Sequence, residues 1–366
     1  MDVSLLEIIN NTSGCVISKS ELIQVLQSCI ECDLHNLLAF EKFIYQHFRT
    51  IKMLIVFIII TIVMVAMAVG LYQKLEGKTV IVTGGTVGMG LRIATDFAER
   101  GARVIIACPY HNEGAAAVQS IKEETNVEVV FKLLDLSSLQ SIRKFAADII
   151  ESEEKLHILV NNAGVGAVKE FITDDGMSFI MQVNYFGQVL LTLLLLPLLK
   201  KSGTSSEPAR ILNTSSFLHY YGTVNFDRLN NIKHYYPVQF YSNSKLCLVL
   251  FSHELAKRLK GSSVIVNCVD PGLVGTRIYF SVGSVLGTLL SVTCYLFFKT
   301  PWEGAQTAIY VALDDDAGRV SGQFFKNCQL RRAKRSAYDD RTALKLWEES
   351  IKLIKLRNEE LAQCLT

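Results

Sequence analysis

The fold of this 366-residue chain is decided by the stretch Thr83-Gly84-Gly85-Thr86-Val87-Gly88-Met89-Gly90. This stretch follows an apolar run, Thr79–Thr83, that predicts a buried strand, and precedes a helical pattern over Leu91–Arg100. Glycines at such a junction permit a tight turn and let a pyrophosphate approach the backbone, and free N–H groups at the helix start attract its charge. A glycine cluster alone is weak evidence, but a strand before it and a helix after it indicate a dinucleotide site.

Strands and helices continue to alternate after this turn. Further short apolar strands are expected at Val104–Cys108, Val127–Leu133, His157–Asn161, Ile211–Thr214 and Val264–Val269. Amphipathic helices are expected between them at Ala115–Glu124, Leu139–Glu151, Met177–Leu199 and Ser242–Leu259. Apolar strands separated by helices predict a single α/β domain of the Rossmann type, a doubly wound parallel sheet covered on both faces.

The composition argues against some classes of function and points to a membrane protein. Lys and Arg total 37 against 35 acidic residues, a net charge of +2, which argues against nucleic acid as a partner. The cysteines are scattered, and the single CxxC, Cys29 and Cys32, has no second pair to complete a zinc site, so no metal is expected. Hydrophobic residues make up 50% of the chain and the mean hydropathy is +0.28, which directs attention to membrane segments.

One segment is long and apolar enough to cross a bilayer. Residues 53–73 carry no charge and are bracketed by Lys52 and Lys74, and about 20 apolar residues suffice to span as a helix. We therefore predict a single-pass anchor, preceded by an extension of unknown role at 1–52. The less apolar run 278–298 is expected to lie on the membrane as a substrate lid. A charged, helical tail is expected at 331–366.

Tyr241 and Lys245 form the candidate catalytic pair. Removal of hydride from an alcohol carbon requires a base for the hydroxyl proton, and reduction of a carbonyl requires an acid. Tyrosine alone is a poor base at neutral pH, but a neighbouring ammonium stabilises the phenolate. Four residues of spacing on a predicted helix place the two side chains on one face. Taken alone, YxxxK is common by chance, and its position after the fifth strand makes it informative.

The spacing TGxxxGxG resembles the short-chain dehydrogenase/reductase family, and the resemblance covers about residues 76–330, expected to be the catalytic domain. Asp135-Leu136, the NNAG segment Asn161–Gly164, the YxxxK pair and Pro271–Thr276 match the family in order. The resemblance implies that the nicotinamide dinucleotide is bound by Gly84, Thr86, Gly88, Met89, Gly90, Asp135, Leu136, Asn162, Ala163, Gly164, Tyr241, Lys245, Pro271, Gly272 and Thr276.

The same resemblance completes the catalytic set. Ser216 is expected to hydrogen-bond the substrate oxygen, as the second serine does in retinol-dehydrogenase-like members, with Ser215 as the alternative. Asn184 matches the helix asparagine that supports a proton-relay water, and its alternative interpretation is a helix-kink residue. His219 and His234 lie between Ser216 and Tyr241 without metal-ligand spacing and are expected to be loop residues.

The chain departs from the family at the end of the second strand. Relatives that use NADP(H) usually place an Arg there and NAD(H) relatives an acidic residue, whereas this chain has Ala107-Cys108-Pro109-Tyr110. Val87 is not basic, and Arg92 lies inside the first helix. The cofactor is therefore NADP(H) or NAD(H), with a narrow preference for NADP(H) by analogy with membrane-bound relatives only.

The expected function is oxidoreduction of an apolar alcohol and its carbonyl partner at a membrane. The anchor, the insertion before Tyr241 and the segment Phe298-Lys299-Thr300-Pro301 resemble retinol dehydrogenase and dehydrogenase/reductase X-linked members, which implies a retinoid, polyprenoid, steroid or lipid-aldehyde substrate. The same resemblance also suggests the endoplasmic reticulum with a cytosolic catalytic domain, although the charges flanking 53–73 give no orientation. A non-catalytic scaffold and a general carbonyl reductase are the alternatives, and a homo-oligomer is left open.

Overall fold

The computed structural model describes residues 75–166, 168–275 and 298–365, together with Ser20 and Gln24. The expected anchor at 53–73, most of the 1–52 extension, Thr276 and the expected lid up to residue 297 lie outside the described residues. Apart from Ser20 and Gln24, the description therefore concerns the unit Lys74–Thr366.

In this described part, one 8-stranded sheet has the order β3-β2-β1-β4-β5-β6-β7-β8. Its strands are β1 Thr79–Thr83, β2 Arg103–Cys108, β3 Val130–Leu133, β4 Ile158–Asn161, β5 Ala209–Thr214, β6 Val264–Asp270, β7 Phe324–Lys326 and β8 Gln329–Arg331. All neighbouring pairs are parallel except β7 and β8, which are antiparallel. The predicted parallel sheet is confirmed. The sequence analysis missed β7 and β8, because three-residue strands carry almost no periodic signal.

Helices cover both faces of this sheet, as the doubly wound prediction requires. They are α1 Gly88–Glu99, α2 His111–Thr125, α3 Leu139–Ser152, α4 Phe179–Ser202, α5 Pro237–Arg258, α6 Pro301–Leu313, α7 Asp340–Leu353 and α8 Asn358–Leu365. One hydrophobic cluster joins the sheet to α1, α2 and α6, and a second joins it to the other five helices. Strands β1, β2, β4, β5 and β6 are therefore buried from two sides, which explains their mostly apolar sequences. The edge strands differ, because β3 is only partly buried and β8 is exposed.

Of the described helices, only α4 is both long and apolar enough to cross a membrane, and 83% of its most apolar window is buried inside the protein. Burial of that kind is typical of a core helix, so α4 is weak evidence for a membrane span. Its first part is a π-helical turn, Gln182–Phe186, a feature that often occurs at functional sites.

The tail is packed onto the domain. Trp347 of α7 stacks on Phe251 of α5 with ring centroids 5.8 Å apart, and Arg258 lies 4.2 Å from the Trp347 ring. Leu346 is fully buried in the same core. The described part of the tail therefore shares a hydrophobic core with the rest of the domain.

Candidate active site

A cavity of about 810 Å³ opens at the carboxyl ends of the parallel strands. In open α/β sheets, ligands bind at this edge, where the strand order reverses, and here the reversal falls between β1 and β4. The cavity is lined by these predicted residues: Gly84, Thr86, Gly88, Met89, Gly90, Asp135, Leu136, Asn162, Ala163, Gly164, Ser216, Tyr241, Lys245, Pro271 and Gly272. Thr276 lies outside the described residues.

The turn between β1 and α1 requires its glycines. Gly84 and Gly88 have φ of +62° and +57°, in the left-handed region that side chains disfavour. At Gly90 a Cβ atom would lie 2.1 Å from the Gly84 carbonyl oxygen and 2.4 Å from Asn162 Nδ2. The α1 start is therefore pressed against the turn, which leaves a concave backbone surface suited to a pyrophosphate.

The segment after β4 holds this turn in place. Asn162 Nδ2 donates to the Thr83 and Gly84 carbonyl oxygens at 3.0 and 3.3 Å. Thr83 Oγ1 in return accepts from the Asn162 and Ala163 amides, both at 3.0 Å. Two loops that are about 80 residues apart in sequence thus form one rigid wall of the cavity.

Lys245 is buried beneath the opposite wall. Its Nζ atom donates to the Thr214 carbonyl oxygen at 2.9 Å and lies 5.5 Å from the centroid of the Tyr241 ring. The residue is 3% exposed, and this burial lowers the pKa of Lys245 to about 8. Most of the lysine is therefore still cationic at neutral pH, and the half-buried Tyr241 ring is its neighbour one helical turn away.

The two serines at the end of β5 have different environments. Ser215 is 2% exposed, and its hydroxyl donates to the Lys245 carbonyl oxygen at 3.0 Å. Ser216 is partly exposed and lines the cavity, and its Oγ atom accepts from the Leu218 amide at 3.3 Å. The Ser216 hydroxyl therefore keeps its proton available for a hydrogen bond to a substrate. The Ser215 hydroxyl proton is already donated to the Lys245 carbonyl oxygen.

Asn184 lies behind the cavity wall rather than in it. Its Nδ2 donates to the Val165 carbonyl oxygen at 2.9 Å and to Ser244 Oγ at 3.2 Å, and its Oδ1 accepts from the Val165 amide at 2.8 Å. A Cβ atom on Gly164 would lie 3.2 Å from Asn184 Oδ1 and 3.4 Å from Lys245 Nζ. Asn184 and Lys245 therefore meet at the same small residue.

His219, which was expected to be a loop residue, lies in a short helix instead. It is fully buried in the short 3-10 helix Phe217–Tyr221, with Nδ1 2.7 Å from the Ser216 carbonyl oxygen. Its Nε2 accepts from the Lys334 amide at 3.1 Å, so Nδ1 carries the proton and donates to Ser216. Burial lowers the pKa of His219, which keeps the ring neutral. His234 is exposed, as expected.

Lys334 is 115 residues from His219, so no local sequence signal could have found this contact. The described residues contain no group of His, Cys, Asp or Glu side chains suited to a metal ion.

The residues present fit a nicotinamide dinucleotide. The glycine turn offers the phosphate cradle, and Lys245 lies among the cavity residues at the other end. Thr214 lines the cavity, and its buried Oγ1 atom has no hydrogen-bond partner among the described residues, so it is a polar group that a ligand would satisfy.

Comparisons with known proteins agree with this geometry. The short chain dehydrogenase family model matches residues 78–284. Retinol dehydrogenase 14 of Mus musculus is 39% identical over 289 residues, covering 75% of this chain and 85% of that protein. Retinol dehydrogenase 13 of Homo sapiens is 41% identical over 288 residues, covering 77% and 86%.

Solved structures show the same fold. An uncharacterised protein of Mycobacterium paratuberculosis superposes with a TM-score of 0.62 at 30% identity, covering 77% of this chain and 95% of that one. The RhlG complex with NADP from Pseudomonas aeruginosa has a TM-score of 0.54 at 27% identity, covering 70% and 96%.

Proposed function

Because this chain belongs to the short chain dehydrogenase family, and is therefore an NAD(P)-dependent oxidoreductase acting on alcohols, we propose that it interconverts an apolar alcohol and its aldehyde or ketone through Ser216, Tyr241 and Lys245. One observation carries the proposal. The Lys245 ammonium, the Tyr241 phenol and the Ser216 hydroxyl line one cavity together with the glycine turn.

Each of the three side chains has a separate task. Tyr241 holds the proton that leaves an alcohol or returns to a carbonyl oxygen. The buried Lys245 ammonium stabilises the phenolate form of Tyr241 in surroundings where charge interactions are strong. Ser216 donates a hydrogen bond to the oxygen on which negative charge develops. A bound nicotinamide supplies or accepts the hydride.

Positioning is the task of Asn184 and the backbone around it. The Asn184 side chain hydrogen-bonds both the amide and the carbonyl oxygen of Val165. It also donates to the Ser244 hydroxyl, on the helix that carries Tyr241. It therefore orients the helix turn that carries Tyr241 and Lys245 and stands where it could order a proton-relay water. We propose this as its role, in preference to that of a helix-kink residue.

The walls of the cavity favour an apolar substrate. Beside the polar trio it is lined by Val165, Phe179, Val183 and Val274. The Phe179 ring stacks on Phe171 with centroids 4.5 Å apart, and Phe171 is 49% exposed. An apolar surface that leads from solvent to the reacting atoms suits a retinoid, polyprenoid, steroid or lipid aldehyde.

We also propose that the chain is a single-pass membrane protein with its catalytic domain in the cytosol, at the endoplasmic reticulum. The uncharged run 53–73 supports the anchor. We propose further that the run 278–298 lies on the membrane as a lid, through which a lipid could enter without crossing water. Retention of the full chain in membranes after an alkaline carbonate wash tests the anchor, and release into the supernatant would refute it.

A substrate screen tests the activity. Purified full-length protein in detergent is incubated with retinoids, polyprenols and sterols, each with NAD(H) and with NADP(H), and dinucleotide absorbance is followed. Turnover of at least one apolar alcohol or aldehyde is expected, with kcat lower by about 10²–10³ in Ser216→Ala. Equal rates in that variant would remove Ser216 from the mechanism.

A further inference from the structure

Glu113 lines the cavity on the β2 side of the sheet, whereas Ser216 follows β5. The loop after β2 passes through Cys108, Pro109 and Tyr110 into α2, and Glu113 is in the first turn of that helix. All four residues line the same cavity as the glycine turn. Since β2 lies beside β1 on the side away from β5, this end would receive the adenosine of a dinucleotide.

The loop itself offers no charge to a ligand. The Cys108 thiol and the Tyr110 backbone hydrogen-bond each other. The thiol donates to the Tyr110 carbonyl oxygen at 3.3 Å, and the Tyr110 amide donates to the Cys108 sulfur at 3.4 Å. Arg92, the candidate phosphate partner from the sequence, is paired through Nη1 with both Glu124 carboxylate oxygens at 2.7 and 2.8 Å.

The charges that line the described part of the cavity are unfavourable to a further phosphate. They are Glu113, Asp135 and Lys245, and Lys245 is committed to Thr214 at the far end. The Asp135 carboxylate accepts from the Ser137 amide and hydroxyl at 2.8 and 2.6 Å. Glu113 makes no hydrogen bond or ion pair with any described residue, so its carboxylate is available.

Packing fixes the turn that carries Glu113. A Cβ atom on the next residue, Gly114, would lie 2.3 Å from Phe131 Cε2 in β3. The start of α2 is therefore seated directly on the Phe131 ring, and Glu113 is held at the cavity rim by the sheet.

We propose that Glu113 selects the cofactor, and that this enzyme prefers NAD(H) to NADP(H). A carboxylate can accept hydrogen bonds from the ribose hydroxyls of NAD(H), whereas the 2′-phosphate of NADP(H) would meet like charge with no cation among the described lining residues. The inference rests on the proposed function and deepens it. It reverses the narrow preference for NADP(H), which had only analogy in its favour.

Direct binding tests this selection without turnover. NAD+ and NADP+ are titrated by calorimetry into the full-length protein in detergent, using wild type, Glu113→Gln and Glu113→Arg. The matched control is Glu123→Gln, which removes the same charge from α2 at an exposed position paired with Gln119. All four proteins should show the same unfolding temperature within error, because Glu113 and Glu123 are both exposed.

Wild type and Glu123→Gln should bind NAD+ more tightly than NADP+, on the order of tenfold or more. Glu113→Gln should lose most of this ratio by gaining affinity for NADP+, and Glu113→Arg should invert it. The ratio should also shrink at high salt, because the repulsion is exposed to solvent. Equal or tighter binding of NADP+ by wild type would overturn the inference while leaving the proposed function intact. Binding of neither dinucleotide would overturn both.

Discussion

The buried Lys245 ammonium makes a prediction about stability that can be worked out numerically. Burial lowers the pKa of Lys245 to about 8 from its ordinary value of 10.5 in the unfolded chain. At about 1.36 kcal/mol per pKa unit, this difference corresponds to about 3 kcal/mol, which is an upper figure. Below pH 8 both states carry the proton and the folded protein bears the whole cost of burying the charge.

The sign follows from proton binding. Between about pH 8 and 10.5 the unfolded chain holds a proton that the folded protein has lost, so this residue makes stability rise with pH. Replacement of Lys245 by Met keeps the apolar stem and removes the titration. The free energy of unfolding of the variant minus that of wild type should therefore fall by about 3 kcal/mol as pH rises through this window.

Denaturant unfolding of the dinucleotide-free protein at pH 7, 9 and 10.5 measures this difference, and the primary readout is the denaturant concentration at the midpoint of unfolding. Comparison within one pH cancels the titration of groups that do not interact with Lys245. Burial raises the pKa of the neighbouring Cys268 thiol to about 12, so this thiol stays largely protonated in the folded protein over the range used. Lys260→Met, at an exposed position just after α5, is the matched control and should give a flat difference. A flat line for Lys245→Met, or a rise with pH, would refute the reasoning, since it would mean that the buried lysine is not destabilised in its charged form.

Three further predictions concern the cavity. Gly90→Ala should lower the unfolding temperature, for a cost of about 1–3 kcal/mol, and abolish dinucleotide binding measured by calorimetry; Gly261→Ala, where a Cβ meets nothing within 4 Å, should leave binding unchanged. Ser216→Ala should lower kcat by about 10²–10³ and Ser215→Ala by much less, in steady-state assays with the substrate from the screen, and the reverse order would move the role to Ser215. His219→Phe should lower kcat more than it changes KM, because Ser216 loses the hydrogen bond that holds its backbone. His219→Asn should recover part of the lost kcat, since its side-chain amide can donate to the Ser216 carbonyl oxygen. Equal kcat values in the two variants would mean that His219 contributes only packing.

The fold could be predicted from the sequence because each of its major elements carries its own periodic signal. β1 begins and ends where the sequence analysis placed it, and the other five predicted strands shift by at most a few residues at their ends. Strands such as β6 are apolar on both faces, which is visible without any tertiary information. The glycine turn could also be recognised, because it lies between a predicted strand and a predicted helix.

The contacts between distant segments could not be predicted in this way. His219 appeared to be a loop histidine because its partner, the Lys334 amide, lies 115 residues later. Glu113 was not considered because a cofactor-selecting residue was sought at the end of β2, whereas the residue proposed above lies in the first turn of α2. The packing of the tail on the domain could not be predicted, because only the folded protein shows Trp347 against Phe251. In each case the signal resides in packing between segments.

The role of Tyr241 is tested most directly by comparing turnover and dinucleotide binding in wild type and Tyr241→Phe. Removal of the phenolic oxygen leaves the ring beside Lys245 and the glycine turn untouched. If Tyr241 holds the transferred proton, kcat should fall by about 10²–10⁴, while the dissociation constant of the dinucleotide should stay within about threefold of the wild-type value. Turnover that survives the substitution at the wild-type rate would contradict this role.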